Sequence, residues 1–144
     1  MSYYSIKPMT YPELDQILAW RNHSKIRKIA ENSDKISVTL HRKWYMNSPA
    51  IKLGFRENDV LVGVVIFDER DYWSFYLDPK LRSDTGLGRI MLALALKYAK
   101  LNNFPFIKAH VKIDNKRSIT LHRELGFMEL SRSDDIIEYK KELL

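Results

Sequence analysis

One junction narrows the folds open to this chain. A β-branched and aromatic run ends near Leu77, Asp78-Pro79 turns the backbone, Gly86 and Gly88 stand one residue apart, and Ile90 to Leu101 is helix-forming and largely apolar. A chain passing from strand to helix through such a turn exposes backbone N–H groups that have no intrahelical acceptor and lie at the positive end of the helix dipole. The place suits an anion such as a phosphate, and glycine lets a bulky group approach the main chain. A plain bend between strand and helix uses the same two glycines, so the junction by itself leaves both readings open.

Composition bounds the rest. A chain of 144 residues fits one domain, since chains of this size bury roughly two-thirds of their unfolded surface. The longest apolar run, Ile90 to Leu96, stops at Lys97, well short of the roughly 20 residues of a membrane span. The N-terminus, Met-Ser-Tyr-Tyr-Ser-Ile-Lys, has no basic region followed by an apolar one, so a cytoplasmic protein is expected. Cysteine is absent, which excludes disulfides, a thiolate nucleophile and Cys-based zinc sites. His23, His41, His110 and His122 show no metal-ligand spacing, and no metal is expected. The net charge of +6 suits a nucleotide or the phosphates of a cofactor, and equally a nucleic acid. Its cations cluster at Arg21, Lys25, Arg27 and Lys28 and again at Lys112, Lys116, Arg117 and Arg123.

Along the chain, Tyr4 to Lys7 reads as a short strand. Thr10 with Glu13 makes a capping box before Leu14, Ile17 and Leu18, predicting a helix over Tyr11 to Asn22. Ser24 is the expected cap of a second helical piece reaching about Ala30. Thr39 to Met46 reads as a third, ended by Ser48-Pro49. The middle is β: Ile51 to Arg56, a turn at Glu57-Asn58-Asp59, Val60 to Phe67, a polar turn at Asp68 to Asp71, and Tyr72 to Leu77. Such short spacings predict an antiparallel meander. After the long helix come a strand over Phe106 to Val111, a helix over Asn115 to Leu125 closed by Gly126, and a hairpin of Phe127 to Ser131 with Ile136 to Lys140. This order predicts an α/β (α+β) fold, a mixed sheet with helices on both faces.

The segment from Ala109 to Phe127 carries the second chemical signal. Asn115, Ser118, Leu121, Gly126 and Phe127 fall in register with Asn-x-x-Ser/Ala-x-x-Leu-Tyr-x-x-x-Gly-Phe, and in this the chain resembles the second half of the GNAT superfamily of acyl-CoA N-acyltransferases. The family's Gln/Arg-x-x-Gly-x-Gly/Ala loop aligns on Ser83 to Gly88, so the resemblance covers about the C-terminal half. It implies a mostly antiparallel sheet whose fourth and fifth strands splay apart, with acetyl-CoA as co-substrate. It places the cofactor pyrophosphate on the loop N–H groups of Thr85, Gly86, Leu87, Gly88 and Arg89, with Asn115 and Ser118 as further cofactor contacts. Ser83 replaces the family's Gln or Arg and Asp84 adds a negative charge, so Arg82 or Arg89 is expected to supply the missing cation.

The same resemblance implies a mechanism. A neutral amine attacks the acetyl thioester, main-chain N–H groups around Phe75, Tyr76 and Leu77 stabilise the oxyanion, and a general acid protonates the departing thiolate. His122 stands where the family usually has tyrosine, and an imidazole can exchange protons near neutral pH; packing against the strand without proton transfer is the other reading of His122. Ser74 and Tyr76 share one face of their strand, opposite Trp73 and Phe75. A base acting through water by way of Ser74 or Tyr76 would be His41 or Glu69.

Acceptor specificity is expected in the N-terminal half. Trp20-Arg21-Asn22, Ile26-Arg27, Ile36 and His41-x-x-Trp44 resemble the signature of the aminosugar N-acetyltransferases of pseudaminic acid biosynthesis, which acetylate a UDP-linked dideoxy sugar. On that resemblance Arg21 and Arg27 would meet a diphosphate, Trp44 or Tyr45 would stack on the base, and Asn22 and His41 would bond sugar hydroxyls. Core packing of Trp20 and Trp44 and a solvated Arg27 are the alternatives. The rival functions are acetylation of a protein N-terminus, as in the ribosomal-protein alanine acetyltransferases, and CoA binding without catalysis. The expected partner is a small-molecule amine, with nucleic acid disfavoured, in a monomer or homodimer.

Overall fold

The β-rich middle folds as the meander its spacing predicts. In the computed structural model, which describes residues 1–30, 34–82 and 85–144, β1 (Tyr4–Pro8), β2 (Ile51–Glu57), β3 (Val60–Phe67) and β4 (Trp73–Leu77) form one antiparallel sheet in the order β1-β2-β3-β4. Ser83 and Asp84, the unusual pair of the glycine turn, lie outside the described residues. The β2–β3 hairpin turns on Asn58 (φ 50°) and Asp59 (φ 68°), the left-handed conformations that let a two-residue loop match the twist of its strands. Opposite Phe55 and Arg56 the register shifts, leaving Val62 as an extra residue in β3. Gly63 follows this bulge. A Cβ built there would stand 2.7 Å from Met91 Sδ, so the glycine is what allows the long helix to lie close on the sheet.

The C-terminal hairpin is captured by the strand that precedes it. β5 (Phe106–Lys112), β6 (Met128–Arg132) and β7 (Ile136–Glu142) form a second antiparallel sheet in the order β5-β7-β6. The mixed sheet expected from the sequence is thus divided between its fourth and fifth strands, where the resemblance places the splay. β5 spends its full length on β7 and touches β4 through an isolated parallel bridge, Tyr72 with Lys108, where the Lys108 N–H donates to Asp71 O at 2.9 Å. Beyond that bridge β4 and β5 diverge.

Helices cover both faces. The capping box forms, with the Thr10 N–H donating to Glu13 Oε1 at 3.0 Å, and Arg56 from β2 holds the same carboxylate at 2.6 Å. A 3-10 turn, Tyr11–Glu13, leads into α1 (Leu14–Asn22). The next helix, α2 (Ser24–Arg27), is shorter than expected and its cap is His23 rather than Ser24, because His23 Nδ1 accepts the Lys25 N–H at 3.1 Å. Ser37 caps α3 (Val38–Asn47). On the far face, α4 (Leu87–Leu101) buries Leu87, Met91, Leu92, Ala95, Leu96 and Ala99 as one stripe. That stripe packs on Leu53, Phe55, Val65, Phe67, Trp73, Ile107, Ile137 and Tyr139, while Met9, Leu14, Ile17, Trp20 and Val64 form a smaller core under α1. Gly126 (φ 89°) ends α5 (Lys116–Glu124) as predicted. No helix among the described residues is long and apolar enough to cross a membrane.

Candidate active site

The splay between β4 and β5 opens a cleft of two joined pockets. One, of about 580 Å³, lies among α1–α3, β4 and β5; the other, of about 730 Å³, lies among β4, the start of α4 and α5. Ile26, Ile29, Phe75, Tyr76, Asn115 and Ser118 line both and mark the place where they meet.

The edge of β4 supplies the junction with donors. Asp68 N–H donates to Tyr72 O and Asp78 N–H to Val62 O, so along β3–β4 the hydrogen-bonded pairs are those of Tyr72, Ser74, Tyr76 and Asp78. The main-chain N–H groups of Phe75 and Leu77 therefore point away from β3, across the splay. This divides the expected oxyanion stretch: Phe75 and Leu77 offer free donors, while the Tyr76 N–H is spent in the ladder. The Tyr76 side chain closes the wall, its hydroxyl donating to Ile17 O at 3.1 Å, and burial drives its pKa far up.

The larger pocket has an anion's chemistry. Gly86, in the left-handed region at φ 78°, caps α4, and Gly88 lines the cleft in the first turn of that helix. Thr85 Oγ1 accepts the Leu87 N–H at 3.4 Å, leaving the N–H groups of Gly88 and Arg89 as the helix's open donors. The Leu87 side chain is buried in the core, so only its main-chain N–H, which Thr85 Oγ1 accepts, faces the loop. Among the described residues, Lys25, Arg82, Arg89, Lys116 and Arg117 line the pocket against two carboxylates, Asp78 and Glu124, and Arg89 is paired with Glu124 across α4 and α5. Asn115 caps α5, its Oδ1 accepting the Ser118 N–H at 3.3 Å.

His122 is placed at the junction but does not have the geometry of a proton donor to sulfur. The ring is 1% exposed. Its Nδ1 lies 2.8 Å from Ser118 O, an acceptor only, so Nδ1 carries the proton. Nε2 accepts the indole N–H of Trp73 at 3.0 Å. A second proton on Nε2 would set N–H against N–H. Burial pushes the imidazole below its usual range, and the ring stacks on Tyr139 at 5.5 Å. The expected general acid is thus a neutral link between α5 and β4. Replacing it with Phe strands the Trp73 donor, at about 1–3 kcal/mol, which lowers Tm by roughly 3–10 °C in a chain of this size. His122→Gln, which can both accept and donate, is expected to recover most of that loss and to keep turnover; a stable Gln variant without turnover would restore the proton-donor role. The same burial has a pH signature. With a folded pKa below the unfolded one, the link is fully stabilising above about pH 6.5 and loses its contribution as pH falls below it. Urea titrations of His122→Gln should show a shallower acid limb.

On the acceptor side the structure brings together Arg21, His41, Trp44 and Ser74, all lining the smaller pocket. His41 is buried, its Nδ1 has no hydrogen-bond partner among the described residues, and burial holds its pKa below the usual value. Trp44 packs beside it at 5.4 Å, whereas Tyr45 points the other way and donates to Met9 O. Two expected ligands are elsewhere. Asn22 spends its amide on the backbone of Ile36, accepting from its N–H and donating to its O, both at 2.7 Å. Arg27 lines neither pocket. Glu69 is an exposed turn residue outside the cleft. Sequence reasoning passed over Asp68, Arg70, Tyr72 and His110, which complete the wall; the alternation of β5, with Ala109 and Val111 buried and His110 between them, was the available signal. No group of three or more metal-ligating side chains occurs among the described residues.

Comparison with known proteins fits this geometry. The model of the acetyltransferase (GNAT) family matches residues 14–127. No curated protein sequence matches the chain. Among solved structures, a domain from Methanocaldococcus jannaschii superposes with a TM-score of 0.87 at 23% identity, covering 99% of this chain and 100% of that one. The putative acetyltransferase yncA from Salmonella typhimurium, solved with its cofactor acetyl-CoA, gives 0.77 at 21% identity over 98% and 94%. Spermidine N-acetyltransferase from Vibrio cholerae, in complex with CoA and spermine, gives 0.80 at 18% identity over 97% and 95%.

Proposed function

Because the chain belongs to the acetyltransferase (GNAT) family, whose co-substrate is acetyl-CoA, we propose that its one domain acetylates a primary amine on a nucleotide-linked amino-dideoxy sugar, UDP- or dTDP-linked. The observation that carries this acceptor is that Arg21, His41 and Trp44 line one pocket whose remaining wall is largely apolar and aromatic. Arg21 and Arg70 offer charge to a diphosphate, Trp44 a face for a base, His41 an unpartnered ring nitrogen for a hydroxyl, and Ile26, Ile29 and Ile66 a surface for the deoxy positions of the sugar. A polyamine needs carboxylates instead. Among the described residues the pocket has Asp68 as its carboxylate, and its Oδ1 accepts the Arg70 and Tyr72 N–H groups while Oδ2 stands 3.8 Å from the Arg70 guanidinium.

Acetyl-CoA, when bound, supplies the acetyl thioester. The chain's own residues do the rest. Gly88, Arg89, Arg82, Lys116 and Arg117 hold phosphates at one end of the cleft, and the Phe75 N–H faces the developing oxyanion where the two pockets meet. Ser74 lines the acceptor's approach. Ser118, whose Oγ is 3.3 Å from His122 Nδ1, is the hydroxyl at the junction through which the thiolate receives its proton, with His122 positioning it. The test is an acetylation screen of UDP- and dTDP-linked amino sugars beside spermidine and N-terminal peptides. A nucleotide sugar is expected to exceed the others at least about tenfold in kcat/KM, about 1.4 kcal/mol of transition-state binding; preference for spermidine or a peptide would discard the sugar.

A further inference from the structure

We infer that His110 is the base that takes the proton from the acceptor's ammonium group, with Glu138 and Tyr72 as its positioning partners; this rests on the acetyl-transfer reading above. Starting from the Tyr72–Lys108 bridge, β4 and β5 run parallel, so His110 comes across the widening splay from Ser74, one residue before Phe75 and its outward N–H. Ala109 and Val111 are buried in the core, which turns His110 to the opposite face, into the wall of the acceptor pocket. Directly across the ladder on β7 stands Glu138. Its Oε2 accepts the Tyr72 hydroxyl at 2.6 Å and its Oε1 lies 4.0 Å from His110 Nε2, while the Tyr72 and His110 rings lie 4.6 Å apart. The carboxylate is therefore fixed by one oxygen and turns the other toward the ring at ion-pair distance, which orients the imidazole.

Several of the other ionisable groups among the described residues of the pocket are committed. Asp68 is bound by Arg70 and by the Tyr72 N–H, Tyr76 donates to Ile17 O, and both nitrogens of His122 are engaged. His41 stands on α3 beside Trp44, where the proposed function gives it a sugar hydroxyl to bond. Among the described residues, charged groups near His110 include Glu138 from β7, Lys108 from its own strand, whose Nζ is 5.6 Å from the Tyr72 ring, and Arg70 and Asp68 from the β3–β4 turn.

The step balances simply. His110 takes a proton from the ammonium and frees the nitrogen's lone pair; that nitrogen bonds the acetyl carbon, the carbon–sulfur bond breaks, and sulfur leaves as the CoA thiolate. The proton then shed by the new amide nitrogen ends on the thiolate, and His110 returns its own to solvent.

The test compares wild type with His110→Ala and Glu138→Gln on a UDP-linked amino sugar from about pH 6 to 10, with acetyl-CoA affinity measured alongside. A second readout needs no acceptor: the slow release of CoA when water takes the acetyl group, which the same base would assist. His110→Ala is expected to lose about 100-fold or more in kcat/KM near pH 7, the loss shrinking toward pH 10 as the acceptor deprotonates unaided, with the acetyl-CoA Kd within about twofold. Glu138→Gln should lose about tenfold, and release into water should fall by about as much in His110→Ala. Wild-type activity in His110→Ala, or a deficit of equal size at every pH, overturns the inference. Should the wild type acetylate no amine at all, it is the proposed function that fails, and release into water that does not change in His110→Ala then rejects the base separately.

Discussion

Gly88→Glu is expected to raise the Kd for acetyl-CoA at least about 100-fold, close to 2.7 kcal/mol of binding, while leaving the protein folded. A Cβ at this position meets nothing closer than Leu77 Cδ1 at 3.9 Å and Leu121 Cδ2 at 4.0 Å, ordinary contacts, so alanine fits. A longer side chain has nowhere to go but into the cleft, beside the open N–H groups of Gly88 and Arg89 and within reach of the surrounding cations. A carboxylate in the first turn of α4 is favourable to the helix itself. Stability should hold or rise, and the new anion occupies the field that would otherwise attract pyrophosphate. The series Gly88→Ala, Gly88→Gln and Gly88→Glu, followed by calorimetric titration with acetyl-CoA, separates bulk from charge: near-neutral, intermediate and severe effects are expected in that order. Wild-type affinity in Gly88→Glu would move the phosphates away from the glycine turn. Gly86 asks a different question, since its φ of 78° makes any side chain there strained at about 1–2 kcal/mol whatever the ligand does.

Much of this arrangement was legible in the sequence where the signal is local. Asn58-Asp59 between two β-branched runs fixes a hairpin, Asn115 and Gly126 bracket a helix, and two glycines open another, because turn and cap chemistry acts over a few residues. What the sequence hid depends on which distant segments meet. The splay of the fourth and fifth strands was expected through the family resemblance alone, while the pairing of β5 with β7 that accompanies it is a choice no window around Phe106 contains. A side-chain amide can bond a sugar hydroxyl or a peptide group equally well, and only the approach of Ile36 turned Asn22 into a backbone clamp. His122 illustrates the same point from inside a recognised motif. Its place in the helix was readable, but its protonation state is set by burial and by its partners at both nitrogens, one of which, Trp73, lies forty-nine residues away along the chain. Lys116 and Arg117 were visible as a cationic cluster, yet their facing Lys25 and Arg82 around one cleft is a product of the fold.

Phe75→Pro should lower turnover by about 100- to 1,000-fold, the cost of one missing oxyanion donor, with little effect on how β4 is held. Proline is destructive in most strands because it removes a ladder hydrogen bond. Here the ladder to β3 runs through Ser74 and Tyr76, and the Phe75 N–H faces the splay, so the only donor lost is the one aimed at the reacting centre. Ser74, the residue ahead of the substitution, is already extended, as a pre-proline residue prefers. The substitution also removes an aromatic side chain whose ring lies 5.7 Å from Trp73 and 5.8 Å from His122, and that packing term is read from Phe75→Leu, which keeps the N–H. The informative quantity is the ratio of the two variants. A kcat for Phe75→Pro at least about 100-fold below Phe75→Leu, with similar acetyl-CoA affinity, assigns oxyanion stabilisation to this one N–H. A ratio within about threefold shifts that role along the edge to Leu77, the next main-chain donor that faces the cleft, and the acetyl group with it toward the start of α4.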